Sequence, residues 1–83
     1  MADKKLGNLE VARVLEDFLE GRGDPWAWDN FMSVTRVADE RLEQIQRRVT
    51  FLSEEFPPDK PGEFCNENGR EVIRRYIEEL RRR

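Results

Sequence analysis

Cys65 is the one side chain in this sequence with ready nucleophilic chemistry. It stands just before Asn66, at the start of a predicted helix, where the helix dipole would favour a thiolate. The competing reading makes it a small half-buried filler behind Phe64, the usual fate of a free cysteine, and that is the expectation here. No histidine occurs in the chain, so Ser-His-Asp and Cys-His arrangements and any His-containing zinc site cannot be built. One cysteine is too few for a thiolate metal site. Carboxylates are plentiful: Asp24 and Asp29 bracket two tryptophans, and Glu54-Glu55 precede Phe56. Their spacing matches no calcium loop, and paired acids do proton transfer only where a pocket holds them together. Gly21-Arg22-Gly23 is not continued into a phosphate-binding loop. The sequence therefore predicts no catalytic residue, no cofactor site and no metal ligands.

Charge offers a second kind of chemistry. The C-terminal segment carries Arg70, Arg74, Arg75, Arg81, Arg82 and Arg83, and Arg70, Arg74, Arg75 and Arg81 form a candidate basic face. Such a face could contact phosphates, with Tyr76 as a stacking neighbour. Against that, Glu71, Glu78 and Glu79 each lie four residues before an arginine, so the cations are expected to be matched by acids on the same helix. The terminal arginines also sit where a helix dipole favours positive charge. Pro58-Asp59-Lys60-Pro61 fits P-x-x-P, a pattern that prolines in a loop produce by chance.

Aromatic and proline content is the most distinctive feature. Trp26, Trp28, Phe31, Phe51, Phe56 and Phe64 all lie between the first and last predicted helices. Two tryptophans two residues apart on a helix point about 200° away from each other. Either they clamp opposite sides of a small core, or one is exposed as an interface anchor. Trp26, Trp28, Phe31, Phe56 and Pro57 are the candidate interface.

Three amphipathic helices would position these groups. The first spans about 8–20, with Val11, Val14, Leu15 and Phe18 on one stripe, Asn8 as N-cap and Gly21 as a left-handed stop. Asp24-Pro25 reads as a cap and first helical residue, opening a short helical turn near 25–31. Residues 32–37 are β-branched at alternate positions but lack an evident pairing partner, so an extended connection is expected. The second main helix, 39–52, is capped by Asp39 and repeats Leu42, Ile45, Val49 and Leu52; Glu43 precedes Arg47 in the orientation that favours an ion pair. Residues 53–66, punctuated by Pro57, Pro58, Pro61 and Gly62, read as a proline-rich loop pinned to the core by Phe56 and Phe64. Asn66 caps the last helix, 67–82, whose apolar face is Val72, Ile73, Tyr76, Ile77 and Leu80. The fold class is thus all-α, a small bundle, with 1–83 as a single domain and 1–6 disordered.

Bulk properties agree. Charged residues make up 40% of the 83 and apolar residues 37%, too polar for a large core but periodic enough for a small one. Fifteen basic against eighteen acidic side chains give −3 overall, without the positive excess typical of nucleic-acid binders. No apolar run approaches the roughly 18 residues of a spanning helix, and one thiol suits a reducing compartment, so a cytoplasmic protein without a membrane partner is expected. The apolar seam of the 39–52 helix, Leu42, Ile45, Val49 and Leu52, would also serve a homodimer.

The segments DPWAWDNF, DERLEQI and EEFPPDKPGEFCNENG, spread between Phe18 and Leu80, resemble a set of small bacterial proteins. The resemblance implies a free-standing bacterial chain and carries no activity, substrate or partner. The reading as a whole is a non-enzymatic protein–protein interaction or regulatory module acting through the Trp/Phe/Pro surface. A nucleic-acid-associated regulator using the arginine helix, and an enzyme or enzyme subunit using carboxylates or Cys65, stand behind it as alternatives.

Overall fold

Five helices and one pair of two-residue strands make up the regular structure in a computed structural model that describes residues 5–22, 25–33 and 35–83. In chain order they are β1 (Lys5–Leu6), α1 (Asn8–Leu19), α2 (Pro25–Ser33), β2 (Arg36–Val37), α3 (Glu40–Thr50), α4 (Leu52–Glu55) and α5 (Glu67–Arg82). The protein is mostly helical, as the periodicity predicts. No helix among the described residues is long and apolar enough to cross a membrane.

Each long helix forms where its sequence places one apolar stripe. In α1, Val11, Ala12 and Leu15 are buried; in α3, Leu42, Ile45 and Val49; in α5, Ile73, Ile77 and Leu80. These stripes meet Phe31, Val37 and Leu52 in a single core. The most extensive helix contact is α1 against α5, while α2 packs on α3 and α1. Among the described residues no buried charged or polar side chain interrupts the core.

The helix ends are closed by specific side chains and turns. Asp39 accepts from the Leu42 N–H at 2.9 Å, and Asn66 from the Gly69 N–H at 3.1 Å, both predicted caps. At the end of α1, Gly21 has φ of +70°. Its N–H reaches the Phe18 carbonyl and the Arg22 N–H reaches the Asp17 carbonyl, the paired bonds of a Schellman stop. Asn8 is not the cap of α1: Gly7 holds that place in extended backbone without a side-chain bond, and its carbonyl accepts from Val11. The expected cap at Asp24 lies outside the described residues.

Three expectations are corrected. The turn near 25–31 is a nine-residue helix, α2. The connection at 32–37 contains β2, which pairs in parallel with β1 in the register Lys5↔Arg36 and Leu6↔Val37. The partner strand therefore comes from the segment expected to be disordered, of which residues 1–4 lie outside the description. A bond from Ala38 N–H to the Leu6 carbonyl extends the ladder. Because both strands run parallel and lead almost directly into α1 and α3, they bring the two helix starts to the same end. Finally, the proline-rich segment opens with a helical turn, α4, before becoming irregular. Its Lys60–Glu63 reversal has Pro61 followed by Gly62 at φ +88°, the residues a type II turn requires. The loop is shut by a bond from the Asn66 N–H to the Phe56 carbonyl, 3.1 Å.

The caps make a testable pair. Asn66→Ala is expected to cost about 1 kcal/mol, read as a lower urea midpoint with an unchanged slope. Asp39 has its carboxyl held below the ordinary range by the Leu42 N–H, with Arg83 assisting. A depressed folded-state value means the contribution is complete above the unfolded value and is lost as pH falls through the folded one. Stability should therefore decline in acid below about pH 4, and Asp39→Asn should keep the cap while flattening that part of the decline. An unchanged acid profile in Asp39→Asn would reject the assignment.

Candidate functional site

The outward face of α2 is Trp26, Asp29, Asn30 and Ser33, all exposed, at the i, i+3, i+4, i+7 spacing of one helical stripe. Trp26 is 74% exposed. Trp28, Phe31 and Met32 turn inward. Trp28 lies flat on Phe18, with ring centres 4.0 Å apart and planes at 16°, and Phe64 meets it edge-on at 5.7 Å. Phe31 stacks against it at 5.9 Å and is itself 1% exposed. Of the two readings left open by the spacing, the structure takes the one with a single exposed tryptophan. The Trp28 Nε1–H is buried without a hydrogen-bond partner among the described residues, so ring packing rather than a polar anchor holds that indole.

The five candidate interface residues do not form one surface. Phe31 belongs to the core, a correction that follows from its place three residues after Trp28 on the inward stripe. Trp28 is half-buried in the aromatic stack, and Phe56 packs against the core from the loop. Trp26 and Pro57 are exposed, one on α2 and the other just after α4. Two exposed apolar side chains escaped the sequence reading: Leu9 on α1 and Phe51, 54% exposed, between α3 and α4. The signal was present. Phe51 falls between Val49 and Leu52, off the stripe that Leu42, Ile45 and Val49 define, and Leu9 is off the stripe of Val11 and Leu15. Phe51 lies beside an open depression of about 580 Å³ shared with Gln44, Arg47, Arg48, Glu54 and Glu55.

Two members of the basic face, Arg74 and Arg81, are paired with acids, as are Arg82 and Arg83 beside them. Arg74 reaches Glu67 at 2.7 Å and Glu71 at 3.1 Å, which raises the guanidinium and lowers the Glu67 carboxyl from their ordinary values. Arg81 is bonded to Glu16 of α1, and Arg82 to Glu78. The pairing differs in detail from the four-residue spacings. Arg83 goes to Asp39 at 3.0 Å, and Glu79 is taken by Arg41 through two bonds of 2.7 and 2.6 Å. These contacts lower the Glu79 carboxyl and tie α5 to α3, with the Arg41 guanidinium lying 5.6 Å from the Tyr76 ring centre. Arg70 is half-buried and Arg75 exposed. On α3, Arg48 pairs with Glu55 across the junction with α4, whereas the predicted Glu43–Arg47 pair does not form.

Cys65 is buried. Burial pushes its thiol up from the ordinary value, and the nearby Arg70 offsets this only in part. Desolvation thus dominates at this thiol, and the expected filler reading describes this side chain. Among the described residues no three cysteine, aspartate or glutamate side chains gather into a group that could hold a metal ion. No family model matches the chain, and no curated protein or solved structure matches it.

Proposed function

We propose that this protein is a non-enzymatic interaction module whose exposed Trp26 anchors a protein partner. The observation that carries the reading is the 74% exposure of that indole on the polar side of α2, while the neighbouring Trp28 is consumed by the core. Tryptophan supplies a large apolar area with few rotors and is concentrated at the energetic centres of interfaces. Asp29, Asn30 and Ser33 beside it give the polar rim that a reversible contact requires. Pairing of Arg74, Arg81, Arg82 and Arg83 with carboxylates argues against a phosphate backbone as partner, since each contact would first have to be broken. In this reading the chain is a small helical bundle acting in a bacterial cytoplasm.

Trp26→Ala should leave stability within about 0.5 kcal/mol of wild type, as exposed substitutions generally do, and should remove the quencher-accessible part of the tryptophan fluorescence. With folding established by circular dichroism, wild type and Trp26→Ala would be used to capture partners from host lysate after nuclease treatment. A stoichiometric protein held by wild type and lost with the variant supports the proposal. A partner retained by Trp26→Ala, or nucleic acid recovered in place of protein when nuclease is omitted, overturns it.

A further inference from the structure

Phe51 joins α3 to α4 with backbone angles of −105° and 9°, outside the helical range, yet side chains of both helices share one outer face across it. Along that face Gln44, Arg47, Arg48, Phe51, Glu54 and Glu55 line the open depression. On its other side Phe51 borders a second hollow with Met32 of α2. The order along the face is two cations, one aromatic ring and two anions. Arg48 and Glu55 close on each other at 2.9 Å. Arg47 and Glu54, on either side of the ring, make no ion pair with any described residue.

A stripe with this order is its own complement when inverted. We propose that it binds a second copy of the chain, antiparallel, across a two-fold axis beside Phe51. The two rings would meet at the centre, with Arg47 against Glu54 of the partner subunit and the reciprocal pair on the other side. A two-fold contact requires each copy to carry both halves of the pattern, which this face does. A uniformly acidic or basic partner would instead meet one repulsive half. The desolvated ring supplies affinity and the exposed charges supply register. Six side chains bury less than the roughly 800 Å² per partner of a standard interface, so the dimer is a weak one, dissociating at about 10 µM or above. This surface is distinct from Trp26, and the inference stands apart from the proposal made for that residue.

Sedimentation equilibrium from about 10 µM to about 1 mM tests it on the intact chain. Wild type should move from one chain toward two across that range. Phe51→Ala should weaken association by about tenfold or more, as should Arg47→Glu and Glu54→Arg separately, because each creates two like-charge contacts. Association should return in the Arg47→Glu/Glu54→Arg double variant, and in an equimolar mixture of the two single variants. All these positions are exposed, and circular dichroism checks that each variant is folded. A wild type that remains one chain at 1 mM overturns the proposal, as does association unaffected by Phe51→Ala. Reversals that weaken association singly but are not rescued in combination also overturn it.

Discussion

Replacing Phe31 with alanine is expected to remove about 3–5 kcal/mol of stability, enough to leave much of the population unfolded near room temperature. The side chain is the largest of the fully buried group and connects two parts of the core. On one side it stacks with Trp28, which in turn lies on Phe18 and meets Phe64. On the other, the backbone of its own residue is held to α3 by the Gln46 side-chain amide, which donates to the Phe31 carbonyl at 2.6 Å and to the Thr35 carbonyl at 2.7 Å. That tether fixes where α2 sits, so the helix cannot settle freely into the space a missing ring would leave. A cavity that fails to collapse gives the upper part of the range. Domains of this size have roughly 4–12 kcal/mol in total, so the loss is a large share of it. Urea denaturation followed by near-ultraviolet circular dichroism would read the effect, since Trp28 would lose its stacked neighbour. Phe31→Leu, which keeps most of the volume, should cost about 1–1.5 kcal/mol. A Phe31→Ala protein within 1 kcal/mol of wild type would contradict the burial assigned to this ring.

The elements whose information is local were legible in the sequence. Asp39 and Asn66 are followed at fixed distances by apolar residues at three- and four-residue spacings, and α3 and α5 form there because both signals agree. Gly21 stops α1 for a reason any single turn can express. The strand pair could not be read in this way. Two residues carry no periodicity, and the partner of Arg36–Val37 lies 31 positions earlier at Lys5–Leu6, so only tertiary packing can specify the match. The arginine pairs show the same division. The four-residue rule found Glu78–Arg82, but Arg81 went to Glu16, Arg83 to Asp39 and Arg41 to Glu79, because neighbouring helices offered acids within reach. Of the candidate surface, helical spacing showed that Trp26 and Trp28 face apart but not which of them is exposed, and both were placed in one interface. Grouping Phe31 and Phe56 with them treated aromatic composition as if it were position. Phe51 was missed for the opposite reason, as an aromatic whose register, not its type, places it outside.

Gly69→Ala is expected to destabilise the protein by about 1–3 kcal/mol, opposite in sign to what its place in a helix suggests. In an open helix the same change is favourable by about 1 kcal/mol, because glycine surrenders more backbone freedom on folding. Here the first turn of α5 is pressed against the loop that precedes it. A Cβ at position 69 would stand 2.8 Å from the Cys65 sulfur, 3.0 Å from the Cys65 Cβ and 3.2 Å from the Phe56 Cβ. The sulfur has only one torsion to turn about and lies in a packed site. The two carbon neighbours are each one bond from backbone, and that backbone is itself pinned by the Asn66 N–H bond to the Phe56 carbonyl. Movement to accept the methyl would strain the Asn66 cap, whose acceptor is bonded to the N–H of Gly69 itself. Cys65→Ala relieves the closest contact, so the two substitutions should be coupled. The Cys65→Ala/Gly69→Ala variant is expected to be more stable than the sum of its parts by about 1 kcal/mol or more, measured as a double-mutant cycle of urea midpoints. An increase in midpoint for Gly69→Ala alone, or strict additivity in the cycle, would mean that the loop does not press on the helix as described. The same contact gives Cys65 its place in the protein: its sulfur fills the space that the absent side chain of Gly69 leaves, and the two residues set the distance between the loop and α5.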